Sequence, residues 1–141
     1  MIKSVSFLIL IFFTAMSLNA QDLSKHQWKD RLVLIIAKEK NEKFQQQVTK
    51  LQKHQQGLKE RKLVVYQILP EKYSTGFEEE NWKNAPELYG KYKDEISDFR
   101  VILIGLDGGE KLEQTEILSV EKLFNTIDSM PMRQAEMRRN R

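Results

Sequence analysis

Hydrophobic positions along this chain form short continuous runs separated by stretches with helical spacing. Three runs rich in Val, Ile and Leu predict strands buried on both faces: LVLIIA at 32–37, KLVVYQIL at 62–69 and VILI at 101–104. Asn41 is placed to cap a helix through about Leu58, which carries one apolar stripe. A strand, an amphipathic helix and a second strand together predict a right-handed βαβ unit with parallel strands.

The pattern changes after Pro70. Residues 71–85 are polar, contain three consecutive Glu, and predict a loop. Pro86 suits the first turn of a short helix, in which Leu88, Tyr92 and Ile96 would share one face.

The last third of the chain predicts a hairpin and a helix. Asp107-Gly108-Gly109 is typical of a tight turn because Gly tolerates a positive φ, and residues 110–116 predict a polar edge strand. Ser119 would cap a helix with a core stripe formed by Val120, Leu123, Phe124, Ile127 and Met130. Pro131 ends or breaks that helix, and residues 132–141 either add a basic helical turn or fray.

The order of βαβ, a short helix and ββα predicts an α/β domain with a thioredoxin-like fold. Its central mixed sheet would have four strands, with helices on both faces. A doubly wound sheet would need a crossover helix where Gly108 and Gly109 predict a hairpin. The 141 residues allow one small domain.

Residues 1–20 have the pattern of a cleaved signal peptide. Lys3 precedes an apolar segment, residues 7–16, and Ser17-Leu18-Asn19-Ala20 ends on a small residue. The apolar segment is shorter than the roughly 20 residues of a spanning helix, so an uncleaved anchor is the weaker alternative. We therefore expect residues 21–141 to form one exported domain, periplasmic or extracellular, with a basic tail and no membrane span after cleavage.

Charge and cysteine content exclude several classes of function. The formal net charge is +3 and falls to +2 without Lys3, which is too balanced to indicate nucleic-acid binding. The chain has no Cys, so it folds without disulfides and cannot perform thiol redox chemistry. His26 and His54 lack metal-ligand spacing; we interpret both as solvated or capping residues and expect no metal or cofactor.

Four motifs resemble one family. They are Trp28-Lys29-Asp30-Arg31, Glu60-Arg61, LIGLDGGEK at 103–111, and Ile127-Asp128-Ser129-Met130-Pro131-Met132-Arg133 followed by Glu136-Met137. The family is domain of unknown function 4174, and the resemblance covers nearly all of residues 21–141. Leu106 stands where the family usually has Lys.

The resemblance implies a thioredoxin- or peroxiredoxin-like fold without an established activity. The family includes exported bacterial proteins. It also includes C-terminal domains of animal extracellular proteins, among them sushi-repeat-containing proteins and a coiled-coil-domain-containing matrix protein. These contexts suggest extracellular binding more than catalysis.

The usual redox site of a thioredoxin-like fold carries no nucleophile here. Residues 37–43, after the first strand, hold no Cys, and Ser97-Asp98-Phe99 replaces the cis-Pro expected before the third core strand.

The predicted topology instead brings charged residues to the opposite end of the sheet. Arg31 and Arg61 precede the two parallel strands, Asp107 follows the antiparallel third strand, and the last helix returns to the same end. The candidate site comprises Arg31, Arg61, Asp107, Lys111, Asp128 and Arg133.

Three interpretations of this site are open. An Arg could pair bidentately with Asp107 or Asp128 in a structural cluster. The Arg side chains could instead bind an anionic ligand such as a carboxylate, a phosphate or a sulfated glycan. The third interpretation is an enzyme, either a hydrolase or a transferase, that uses Asp107 and Asp128 as acid and base. We predict a binding module without catalytic residues whose partner is a protein or an anionic ligand; the sequence favours no oligomeric state.

Overall fold

The computed structural model describes residues 23–141, and the predicted signal peptide, residues 1–20, lies outside them. In this part of the chain six strands form one mixed sheet: β1 (Arg31–Ala37), β2 (Leu63–Ile68), β3 (Lys72–Thr75), β4 (Lys83–Asn84), β5 (Phe99–Ile104) and β6 (Glu110–Gln114). The α-helices of the same residues are α1 (Glu42–Gln52), α2 (Gln55–Glu60), α3 (Glu87–Tyr92), α4 (Val120–Asp128) and α5 (Pro131–Arg139).

The strand order is β4-β3-β2-β1-β5-β6. The central strand β1 pairs in parallel with β2 and antiparallel with β5, and β6 pairs antiparallel with β5 at one edge. The α/β class is confirmed, and this arrangement is compatible with the predicted thioredoxin-like fold.

Every residue of β1 is buried because the sheet is covered on both faces along this strand. Successive side chains of a strand point to opposite faces. Val33 and Ile35 therefore pack with α1, α2 and α4, whereas Leu32 and Leu34 pack in a second cluster with α3. The sheet thus has two apolar cores, one on each side.

The sheet is wider than the predicted four strands, because residues 71–85 are not a loop throughout. Pro70 and Glu71 turn the chain into β3, where Tyr73 stacks on Tyr66 with ring centroids 6.0 Å apart. Tyr73 and the Ser that follows it are both buried. Burial in β3 therefore does not alternate, and the segment lacks the period-two pattern that would predict a strand.

The single helix predicted from Asn41 through about Leu58 is two helices. Asn41 caps α1 as predicted, and its side chain accepts a hydrogen bond of 2.9 Å from the Phe44 N–H. The break falls at His54, which has non-helical dihedral angles and whose Nδ1 lies 2.9 Å from the Lys50 carbonyl oxygen. A side chain bonded to the preceding turn in this way competes with the regular helical pattern.

The short helix after Pro86 ends earlier than predicted. Ile96 does not share its buried face and is 96% exposed. Asp94 accepts hydrogen bonds from the backbone N–H groups of Ile96 and Ser97, at 3.0 and 2.6 Å. This turn carries the chain out of the helix after Tyr92, so the prediction for Ile96 was wrong.

The hairpin and α4 follow the predicted pattern, whereas the tail forms a longer helix than the single turn that the sequence allowed. Gly108 has a φ of +84°, as the tight turn requires. The Ser119 hydroxyl caps α4. Pro131 ends the core stripe and is also the first residue of α5, where its missing N–H is tolerated. The tail is therefore a docked helix whose Arg133 and Glu136 are buried.

Candidate functional site

Arg31 is the first residue of β1 and is enclosed, with 1% of its surface exposed. Its Nη1 and Nη2 atoms each donate to a different carboxylate oxygen of Glu136, both at 3.2 Å, and Nη1 also donates to the Arg61 carbonyl at 2.9 Å. A guanidinium removed from water needs such a counter-charge. Helix α5 therefore neutralises the start of the central strand.

A second bidentate pair joins the end of α2 to the end of α4. Arg61 donates through Nε and Nη2 to the two oxygens of Asp128, at 3.0 and 2.8 Å. Its guanidinium also lies 3.9 Å above the centroid of the Phe124 ring. Bidentate pairing with a carboxylate requires the planar fork of Arg, so Lys would not replace it.

Arg133 connects the two pairs. Its Nε donates to Asp128 at 3.1 Å, and its Nη1 donates to the Glu60 carbonyl at 3.1 Å and to Glu136 at 3.4 Å. We call Arg31, Arg61, Arg133, Asp128 and Glu136 the Arg–carboxylate cluster. Glu136 was missing from the predicted site because the sequence left the tail's structure open.

The cluster changes the titration of Asp128. Partial burial raises the pKa of this carboxyl, but hydrogen bonds from Arg61 and Arg133, together with their charges, lower it by more. As a result, the pKa of Asp128 is lower than that of an ordinary Asp side chain. Asp128 is therefore held as a carboxylate.

Asp107 and Lys111 form a separate pair on the adjoining hairpin. Lys111 Nζ donates to Asp107 Oδ2 at 2.8 Å, with both side chains partly exposed, and this bond is the first cause of a lowered pKa at Asp107. Of the two Asp residues that the sequence offered as partners of an Arg, Asp107 is not the one used: among the residues described, its carboxylate bonds Lys111 and the Gly109 N–H. The predicted pairing of Arg61 with Asp128 is present.

A cavity of about 310 Å³ links this hairpin to the cluster. Arg31, Asp107 and Lys111 contribute polar groups to its lining, and Leu106, Met130, Pro131 and Met132 form an apolar wall. We call it the hairpin cavity. It brings Arg31 and the Asp107–Lys111 pair to one site, whereas Arg61, Asp128 and Arg133 are not part of its lining.

One polar atom of Arg31 is unsatisfied. Its Nε is buried and has no acceptor within residues 23–141, although Nη1 and Nη2 are bonded to Glu136. An unpaired buried donor costs roughly 1–3 kcal/mol. Arg31 therefore combines a position in the cavity lining with an unused hydrogen-bond donor.

His26 is neither solvated nor a simple cap, contrary to the sequence interpretation. Its Nδ1 lies 2.7 Å from Asp30 Oδ2 and its Nε2 lies 2.6 Å from the Tyr66 hydroxyl. With the proton on Nδ1, His26 donates to Asp30 and accepts from Tyr66. Burial raises the pKa of Tyr66, which is 2% exposed, so this hydroxyl is enclosed and joins the lead-in segment to β2.

The position of the usual redox site carries an ordinary capped helix. Asn41 occupies the N-cap of α1, the sequence has no Cys, and no peptide bond within the described residues is cis. Across residues 23–141 no cluster of three or more His, Asp or Glu side chains is arranged to hold a metal ion. No helix in this range is long and apolar enough to span a bilayer.

The fold and the site together define a cysteine-free mixed α/β domain with an Arg–carboxylate cluster at one end of its sheet. Residues 22–136 match a family model described as Domain of unknown function (DUF4174), and the chain belongs to this family. The resemblance identified from the four motifs is thereby confirmed. No curated protein and no solved structure shows a significant match to the chain.

Proposed function

We propose that this domain is a binding module and that the hairpin cavity is its site. The observation that carries the proposal is the buried, unpaired Nε–H of Arg31 in a residue that lines the cavity. The Nε atom has almost no exposed surface, so a ligand would reach it only after neighbouring side chains shift, and an acceptor placed against it would then remove an energetic penalty already present in the protein. Such a gain favours binding without any catalytic group.

The charges support a ligand with one negative charge. The cluster together with the hairpin pair holds four cationic and three anionic side chains, which leaves one net positive charge within this set. The apolar wall, with two Met side chains that adapt to different shapes, suits an aliphatic body. We infer a small amphiphilic carboxylate as the ligand class.

The same geometry disfavours the alternative of an acid–base enzyme. Both Asp128 oxygens are bonded to Arg side chains and its pKa is lowered, so this carboxylate is a poor general acid. Asp107 is likewise paired with Lys111 and has a lowered pKa. Neither Asp has the raised pKa that acid catalysis near neutral pH requires.

The test is a melting experiment with acetate, butyrate and hexanoate. Ligands that bind only the folded state raise the melting temperature, and saturation at 100 times Kd corresponds to about 2.7 kcal/mol. We expect the shift to grow with chain length, since each added methylene buries apolar surface worth about 0.8 kcal/mol. Hexanol and hexylamine, which lack the carboxylate, should produce smaller shifts.

Two variants and one control locate the site. Met132→Asp places a negative charge in the apolar wall at a side chain that is 46% exposed, and Lys111→Gln removes the exposed cation. Both should reduce the hexanoate shift. Arg138→Gln, an exposed change on the same helix as Met132, should leave it unchanged. Equal shifts with hexanoate and hexylamine, or an undiminished shift in Met132→Asp, would contradict the proposal.

We also propose that the domain acts outside the cytoplasm after removal of residues 1–20. The support is the signal-peptide pattern of those residues, together with a family match that begins at residue 22. In a bacterial host, the exported protein should begin at Gln21 by N-terminal sequencing. Leu10→Arg, which interrupts the apolar segment, should retain the unprocessed chain in the cytoplasm, whereas Lys25→Gln should be processed normally.

A further inference from the structure

The outer edge of β2 is paired along only part of its length. β3 pairs with Tyr66–Ile68, and the last backbone bond between the two segments runs from the Gly76 N–H to the Val65 carbonyl at 2.8 Å. Gly76 has a φ of +84° and turns the chain away from the sheet. The first part of β2, from Leu63, therefore extends beyond β3.

The backbone of Leu63 faces this open edge. The carbonyl of its neighbour Lys62 accepts a hydrogen bond from the Arg31 N–H of β1 at 2.8 Å and so points toward β1, whereas the Lys62 N–H donates to the Lys59 carbonyl at 3.0 Å. Backbone polar groups of successive residues point to opposite sides of a strand. The N–H and C=O of Leu63 therefore point away from β1, on the same side as the Val65 carbonyl. No strand of the described chain pairs with Leu63 on that side.

A groove of about 430 Å³ runs along this open edge. Leu58, Val65 and Phe77 give it an apolar lining, and Lys59 and Lys62 stand at its rim with exposed side chains. The one carboxylate in its lining, Asp30, is already bonded to His26, and of the two rim cations Lys62 lies 4.0 Å from the Glu136 carboxylate. The groove therefore combines free backbone groups, an apolar floor and a positive rim.

We propose that this groove binds an extended acidic peptide segment, which adds a strand to β2 in line with β3. Backbone pairing at Leu63 would hold the segment, an apolar side chain would fill the lining around Leu58 and Phe77, and flanking carboxylates would meet Lys59 and Lys62. This is strand addition to an exposed edge, in which main-chain bonds supply affinity and pockets supply selectivity. The groove shares no lining residue with the hairpin cavity, so the two proposals stand or fall separately.

The probe is a fluorescein-labelled peptide with blocked ends and the sequence Glu-Val-Leu-Val-Glu, titrated with residues 21–141 and followed by anisotropy. A matched peptide replaces both Glu with Lys. A third peptide carries N-methyl groups on the backbone nitrogens of both Val residues and the Leu, which removes N–H donors but keeps the charges. We expect saturable binding of the first peptide and a loss of about fivefold or more in affinity for the other two.

Matched protein variants test the rim. Lys59→Glu with Lys62→Gln changes the groove, and Lys50→Glu with Lys53→Gln makes the same charge change on exposed residues of the preceding helical segment. We expect a loss of about fivefold or more only in the groove variant. Thermal melting shows that each variant is folded. Protection of the Leu63 amide from hydrogen exchange on peptide addition gives an independent reading of strand addition.

Absence of saturable binding overturns the proposal. It is also overturned if the Lys peptide binds as well as the Glu peptide, if the groove and control variants lose affinity equally, or if the Leu63 amide exchanges at an unchanged rate.

Discussion

Arg31 shows how a single charged residue is accommodated in the core of this domain. Its guanidinium is enclosed and is neutralised by Glu136 through two hydrogen bonds. Removing one member of a buried ion pair leaves the other charge uncompensated, and this loss exceeds the net contribution of the intact pair. The contribution of the pair to stability is therefore best measured by comparing the removal of one partner with the removal of both.

The first prediction concerns Glu136. Glu136→Leu should lower the free energy of unfolding by about 3–5 kcal/mol, because Arg31 keeps its charge in a buried position. Urea denaturation measures the change. Arg138→Leu, an exposed substitution on the same helix, should change it by less than about 0.5 kcal/mol. The double variant Arg31→Met with Glu136→Leu should recover part of the loss; equal stability of the Glu136→Leu and Arg138→Leu variants would refute the argument.

The second prediction concerns Asp128 and pH. The pKa of Asp128 is lower in the folded protein than in the unfolded chain, so its ionised form stabilises the fold. This contribution is complete above the unfolded pKa of about 3.9 and is lost as the pH falls through the folded value. Asp128→Asn should therefore be less stable near neutral pH and lose less further stability on acidification.

Denaturation of the wild type and Asp128→Asn across the acidic range measures both effects. Asp98→Asn, at an exposed Asp, is the control and should follow the wild-type curve. Parallel pH curves for wild type and Asp128→Asn would show that the Arg61 and Arg133 bonds do not shift this titration.

At the scale of secondary-structure elements, α2 and α4 approach closely at Gly57. A Cβ atom at this position would lie 2.6 Å from the edge of the Phe124 ring, on which Arg61 is stacked. The ring cannot move without disturbing the Arg61 contact. Gly57 is therefore required by the contact between the two helices.

This contact gives the third prediction. Gly57→Ala should destabilise the domain by about 1–3 kcal/mol despite the better helix propensity of Ala, because the added methyl overpacks the contact with Phe124. Gly90→Ala is the matched control within α3, where a Cβ meets nothing within 4 Å, and it should stabilise by up to about 1 kcal/mol. Thermal and urea denaturation of both variants give the comparison, and similar stabilisation of the two would contradict the clash.

The secondary-structure elements could be predicted where the pattern of apolar residues was clear. The three apolar runs became β1, β2 and β5, and Asn41 and Ser119 cap helices as the sequence indicated. β3 was missed because its burial does not alternate. Ile96 was misplaced because a side-chain turn at Asp94, rather than the apolar period, decides where α3 ends.

At the scale of the whole molecule, the two outermost strands discourage other chains from pairing with them, in contrast to the open start of β2. β6 presents charged side chains, including exposed Glu110 and Glu113, and β4 has only two residues. Charged and very short edge strands discourage edge-to-edge aggregation.

The fourth prediction follows from this arrangement. Glu110→Val with Glu113→Val should increase self-association of the folded protein, since it turns an exposed edge into an apolar β-branched strand. Light scattering and size-exclusion chromatography measure the change. Glu39→Val with Glu121→Val removes the same charge at exposed positions outside the strands and should remain as dispersed as the wild type; equal aggregation of both pairs would point to net charge rather than to the edge.

The location of the candidate site could be predicted from the sequence, but not which charged side chains pair with each other. Topology alone indicated that Arg31, Arg61 and Asp128 approach one end of the sheet, because strand directions decide which ends meet. The counter-ion of Arg31 was not predictable, since the tail had no apolar period that would have indicated a docked helix. The bonds of His26 were missed because Tyr66 is distant in sequence and lies within an apolar run.

The pair between Arg31 and Glu136 also affects the order in which the chain completes its fold. Arg31 begins the central strand, yet its counter-ion lies 105 residues later, in the final helix. While the chain is being made, β1 can be synthesised and even paired with β2, but its first side chain cannot be buried without a large desolvation penalty. Burial of the central strand is therefore completed only after α5 has been made, and a chain truncated before Glu136 retains an incompletely closed core.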